Sequence, residues 1–134
     1  MLRFELTIIG QNAVTNRLRT AAAKAPAAVG DAAYRWAQDV RGKLKSTPYP
    51  PKRPGQRYVR TGRLANSWRA ERVSQSRTVI TNSAAYSGYV VGNSRGERQA
   101  WFHRGRWWRA RDVIAESRPE LKASVLREMD RLLK

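Results

Sequence analysis

His103 is the single histidine of this 134-residue chain, and its surroundings speak against acid–base chemistry. It lies in Trp101-Phe102-His103-Arg104-Gly105-Arg106-Trp107-Trp108-Arg109, with Glu97 and Asp112 as the nearest carboxylates along the chain. A His–Asp pair serving a nucleophile needs a partnered acid and an activated hydroxyl or thiol, and no nucleophile motif is present. There is no cysteine, so thiolate metal sites, disulfides and a cysteine nucleophile are all excluded. HExxH, EF-hand and phosphate-loop spacings are missing, and Gly92, Gly96 and Gly105 do not follow a strand at the required interval. The acids are scattered, which leaves a paired-carboxylate hydrolase, such as a small nuclease or toxin, without positive support. The expectation is a protein that is not an enzyme and holds no metal or cofactor.

Binding chemistry is the stronger signal. Lys and Arg number 27 against 10 Asp and Glu, a formal charge of +17. Such an excess speaks of partners rather than of fold: nucleic acid, an anionic surface, or an acidic protein. Most of the cations are Arg, which suits bidentate contact with phosphate or carboxylate. Residues 47–72 carry seven cations against Glu71, and residues 95–111 carry six arginines against Glu97. Both stretches interleave aromatics, a composition shared by protein interfaces and by surfaces that stack single-stranded nucleic acid. The candidate contact residues are Lys52, Arg53, Arg57, Tyr58, Arg60 and Arg63 in the first stretch. In the second they are Arg95, Arg98, Trp101, Arg104, Arg106, Trp107, Trp108 and Arg109. A core role for some of the tryptophans stands beside the interface role.

These residues need a frame. Phe4–Ile9 alternates apolar and polar residues and predicts a strand closed by Gly10. Asn12 is placed to cap a helix carrying Val14, Leu18, Ala21, Ala22 and Ala25, with Pro26 as its stop. Pro26 also suits the first turn of a second helix, over about 27–46, with an apolar stripe of Val29, Ala33, Trp36, Ala37, Val40 and Leu44. Gly30 and Gly42 each weaken that helix by about 1 kcal/mol relative to Ala. Residues 47–57 hold four prolines and a glycine, which predicts an extended, basic loop over 47–60.

Thr61-Gly62-Arg63-Leu64-Ala65-Asn66-Ser67-Trp68 predicts a two-turn helix capped by Thr61. From Arg69 the period falls to two; with a turn near Ser76 and the strand formers Thr78–Thr81, an antiparallel pair is expected. Residues 84–91 fit either a strand or a short helix, and the helix is favoured because Ser83 can cap it and Gly92 can end it. Residues 93–111 lack a period and predict a second long loop, with room for a strand or hairpin at its tip. Ser117-Arg118-Pro119-Glu120 has capping-box spacing, and Leu121, Val125, Met129 and Leu132 define one face of a helix over 117–133. The predicted class is therefore α+β: a small antiparallel twisted sheet packed against two or three helices, in one domain over 1–134, with two long basic loops. The N-terminus lacks the apolar run of a signal peptide, and no stretch approaches the ~20 apolar residues of a membrane span.

The Thr61-Gly62-x-Leu64-x-x-Ser67 turn, after a helix and a Pro-rich basic loop, precedes a strand pair and then Ala85-Tyr86-Ser87-Gly88-Tyr89-Val90. This order resembles the tail-completion or tail-terminator proteins of long-tailed phages, which include head–tail joining and minor tail proteins. The chain departs from that pattern at Val91-Gly92-Asn93, which lacks an acid, and at Trp107–Val113, where a Pro-Phe segment is usual. The resemblance implies a virion protein made in the host cytoplasm: a ring subunit, commonly of a hexamer, between the capsid connector or stopper and the tail tube. It implies a homo-oligomer, no membrane, and long loops that reach neighbouring subunits. Six copies would carry about a hundred positive charges, so acidic contact surfaces on adjoining rings, or genomic DNA in the lumen, are expected. The alternative is a nucleic-acid-binding protein that acts alone, although no RRM, KH, helix-turn-helix or zinc-finger signature is present.

Overall fold

The computed structural model describes residues 11–95 and 97–134. The strand expected over residues 4–9, with its closing Gly10, lies outside them. A single helix, α1 (Gln11–Ser46, 36 residues), replaces the two helices expected on either side of Pro26. Asn12 falls within α1 rather than at its cap. An interior proline removes the bond to the carbonyl four residues back and costs about 3 kcal/mol. Pro26 and Ala22 both lie on the exposed side of α1, where water can serve that carbonyl. Elsewhere along its length α1 is fixed by packing: Ala21, Ala32, Ala37, Val40 and Leu44 are buried. Tertiary contact thus outweighs the local breaker.

After α1 come α2 (Arg63–Asn66), the strands β1 (Trp68–Ser74) and β2 (Arg77–Asn82), then α3 (Ser87–Val91), α4 (Ala110–Glu116) and α5 (Arg118–Leu133). The class is α+β, a two-stranded antiparallel sheet packed against helices. The register runs from Trp68 opposite Asn82 to Arg72 opposite Thr78, with a bulge between Arg72 and Ser74 before the turn at Gln75-Ser76. This hairpin lies on α1. Gly30 makes the close approach possible, because a Cβ there would stand 1.9 Å from the Gln75 carbonyl oxygen. The glycine expected only to weaken the helix is the seat of the hairpin turn.

α5 runs antiparallel to α1, joined by Lys43–Glu120 at 2.8 Å near one end and Arg35–Glu128 at 3.2 Å two turns away. Its predicted face, Leu121, Val125, Met129 and Leu132, is half-buried. The capping box does not form. Ser117 adopts helical angles (φ −90°, ψ −5°), so its side chain does not reach forward to cap α5. Its Oγ instead donates to the Val113 carbonyl (3.2 Å) and accepts from Lys43 Nζ (3.1 Å), while its carbonyl accepts the Trp36 indole N–H (2.7 Å). Ser117 is therefore a buried junction between α4, a helix not anticipated from the sequence, and α5.

The core gathers Val40 and Leu44 of α1, Leu64, Trp68, Val91, Trp107 and Ala110, flanked by Trp36, Tyr49, Ile80, Val90 and Trp108. The expected two-turn helix at 61–68 is a single turn, α2, entered through Gly62 at φ 73°. A left-handed conformation there favours glycine over Thr61 as the entry residue. The turn drives Leu64 and Trp68 inward. Similarly α3 starts at Ser87 rather than beside Ser83, and Gly92 (φ 76°) ends it as expected.

Candidate functional site

The two basic loops do not stand apart as arms; they close over the core and meet each other. Arg53 Nη2 donates to the Phe102 carbonyl at 3.3 Å, and Arg106 donates to the carbonyl of Pro51. The Tyr49 and Trp107 rings meet at 5.2 Å with a 44° tilt. The long loops expected to reach neighbouring subunits are thus folded against their own subunit. The cause is Trp107. It was expected on a contact surface, yet it is 9% exposed and belongs to the core. Burying an aromatic of this size contributes several kcal/mol, about 3–5 by truncation, enough to hold a turn-rich loop in place.

Gln99 does the same work from the polar side. It is buried, and its Nε2 donates to the Val90 carbonyl (2.9 Å) and the Trp107 carbonyl (3.2 Å). Ala100 N adds a bond to the Tyr89 carbonyl at 2.8 Å, which ties the second loop to α3. Tyr49 Oη accepts from Ala65 N at 2.8 Å and ties the first loop to α2. Tyr49 and Gln99 were not among the expected contact residues. Tyr49 stood out only as one aromatic in a proline-rich run, and nothing in the neighbourhood of Gln99 marks it as a buried hub.

The remaining expected residues divide by exposure. Trp101 (80%), Tyr58 (48%) and Phe102 (45%) are exposed aromatics, with Trp101 set edge-on to Phe102 at 5.7 Å. Lys52, Arg53, Arg57, Arg63, Arg95, Arg98 and Arg104 are exposed. Lys52 Nζ lies 5.4 Å from the Tyr58 ring, and Arg104 Nε donates to the Gln99 carbonyl at 3.2 Å. Arg60, Arg106, Trp108 and Arg109 are half-buried. Arg109 is engaged with Asp112 at 2.8 Å, which sets it apart from the others.

Electrostatics give this face its character. Among the described residues the ion pairs lie on the helices and the hairpin: Asp31 with Arg72, Glu120 with Lys43, Glu128 with Arg35 and Arg131, Asp112 with Arg109 and Arg111, and Asp130 with Lys134. None involves a cation from residues 47–63 or 95–106. Arg53, Arg60, Arg104 and Arg106 are steadied instead by backbone carbonyls, which orient a guanidinium without neutralising it. The result is a fixed face of uncompensated positive charge studded with aromatics. His103 registers this field: its pKa is lowered from 6.5, first by burial, then by Arg106 and Arg53.

Among the described residues no cluster of three or more His, Asp or Glu could hold a metal ion, and no helix is long and apolar enough to cross a membrane. In comparisons with protein-family models, curated proteins and solved structures, none matched this chain.

Proposed function

We propose that this chain is an assembly subunit of a phage neck, a tail-terminator or head–tail joining ring protein that links the capsid connector to the tail tube. The observation that carries the proposal is charge segregation: the ion-paired carboxylates lie on the helices and the hairpin, and the cations of residues 47–63 and 95–106 have no paired carboxylate among the described residues. A face of this kind suits an acidic neighbour. Pre-ordered loops lower the entropy cost of association, and complementary charge raises the encounter rate. Trp101, at 80% exposure beside Phe102, has the form of an interface anchor. The resemblance over Thr61–Val90 supplies the neck and its ring; the ring is a homo-oligomer closed by head-to-tail contacts.

The test is co-elution with the tail-tube and connector proteins of the same particle, at low and high salt. Lys52→Glu and Arg57→Glu change exposed side chains only, so they should leave the fold intact, weaken the complex and flatten its salt dependence. Wild-type yield from both variants at every salt concentration counts against the proposal. Tight, steeply salt-dependent binding of bare DNA by the isolated chain would favour a nucleic-acid-binding protein acting alone.

A further inference from the structure

A cleft of about 410 Å³ opens between the TGRL turn and the two loops, lined among others by Tyr58, Arg60, Leu64, Val90, His103 and Trp107. Its volume lies in the range of about 300–1,000 Å³ typical of ligand clefts. At its wall the Arg60 guanidinium sits 5.7 Å from the Tyr49 ring, 5.8 Å from Tyr58 and 5.5 Å from Trp107. One terminal nitrogen donates to the Pro50 carbonyl and the other to Tyr58 Oη at 3.3 Å, which fixes the plane of the group. Its Nε–H is buried and has no partner among the described residues; the same holds for the Trp107 indole N–H. Trp107 itself is more than nine-tenths buried. Among the described residues no carboxylate pairs with Arg60. A half-buried guanidinium, caged by three rings and lacking a counter-charge, is a costly arrangement that an incoming anion relieves.

The geometry points to one occupant: a carboxylate side chain, flanked by apolar residues, from a segment of an acidic protein partner. A guanidinium carries five N–H donors; each terminal nitrogen of Arg60 uses one on Pro50 or Tyr58 and keeps one for a carboxylate. Val59, Leu64 and Val90 supply apolar lining for the flanking residues. A nucleobase fits less well. Stacking needs open ring faces, and here the Trp107 ring is packed against Tyr49 and His103, while the half-exposed Tyr58 ring already has Lys52 Nζ at 5.4 Å and the Arg60 guanidinium at 5.8 Å. The socket deepens the neck-ring proposal by stating what the acidic neighbour inserts, and rests on that proposal only for the neighbour's identity.

The test uses the full chain with ¹⁵N-labelled tryptophan, following the indole signal that Trp107→Phe removes. The probes are acetyl-Leu-Asp-Leu-amide and its Asn counterpart, titrated to about 10 mM, well into the range of weak binding. The Asp peptide should shift the Trp107 indole. The Asn peptide should bind at least about tenfold more weakly, as should the Asp peptide to Arg60→Gln, because each removes one partner of a charge-assisted bond. Lys122→Gln, on the exposed side of α5, should bind as wild type. Should Arg60→Gln lose its native indole dispersion, Arg60→Lys takes its place; it keeps the charge without the planar fork, and the same weakening is expected. Equal binding of the two peptides, unchanged affinity in the Arg60 variant, no shift with the Asp peptide, or a larger Trp107 response to oligothymidine overturns the socket. Peptide binding without any ring would sink the neck reading and leave the socket standing. Rings that survive Arg60→Gln while the peptide fails to bind would do the reverse.

Discussion

Replacing Gly30 and Gly42 by alanine separates helix propensity from tertiary contact in the same helix. Both glycines lie in α1, and each substitution raises helix propensity by about 1 kcal/mol. At Gly42 nothing lies within 4 Å of the added Cβ, so Gly42→Ala should stabilise the protein by about 0.5–1 kcal/mol. At Gly30 the same Cβ would stand 1.9 Å from the Gln75 carbonyl oxygen and 2.6 Å from Arg72 Nη2. The first obstacle is backbone, so the hairpin turn must withdraw by at least about 1 Å in a close-packed interior. That movement also disturbs Arg72, which bonds to the Gln75 carbonyl at 2.9 Å and pairs with Asp31. Overpacking of this kind costs about 1–3 kcal/mol, and the exposed ion pair adds no more than about 1. After the propensity gain, Gly30→Ala should lose about 1–2 kcal/mol. For a domain of this size that is a fall in Tm of about 3–8 °C, against a rise of a few degrees for Gly42→Ala. Urea and thermal unfolding, read by circular dichroism, measure both. If Gly30→Ala proves as stabilising as Gly42→Ala, the hairpin does not rest on that turn of α1 and the seating described above is wrong.

Three further outcomes are expected. Trp107→Ala should cost about 3–5 kcal/mol and loosen both loops to proteolysis, whereas Trp101→Ala should leave urea stability within about 0.5 kcal/mol of wild type and weaken partner binding. His103 has a lowered pKa when folded, so the unfolded chain takes up its proton first. Its stabilising contribution is present above 6.5, declines as pH falls through that value, and stops declining below the folded pKa; His103→Gln should remove this step from a plot of stability against pH. Trp36→Phe takes away the 2.7 Å donor to the buried Ser117 carbonyl and should cost about 1–3 kcal/mol in unfolding free energy.

The hairpin and the last helix were legible because each depends on a local rule. Period two and a polar turn define β1 and β2, and the Leu121–Leu132 stripe defines α5. The other features were decided by contacts between distant segments. Pro26 is a strong local stop, yet α1 continues because residues before and after it are packed while the proline itself is exposed. Ser117 and Glu120 carry capping-box spacing, but both are recruited by Lys43 of α1. Trp101 and Trp107 share the same Arg-rich surroundings, and one is exposed while the other is core because Tyr49, from a loop some sixty residues earlier, packs on only one of them. The basic, aromatic character of the site was plain in composition. Its closure into one face, and the place of Tyr49 and Gln99 within it, depended on partners that no short window contains.

The central claim is that a fixed, uncompensated cationic face serves assembly with an acidic neighbour. Its most direct test is a mass measurement by light scattering of the purified chain, alone and mixed with the tail-tube protein, across a salt series. A discrete closed oligomer that captures the tube protein, and that loosens as salt rises, is predicted. A chain that stays monomeric beside the tube protein at every salt concentration contradicts it.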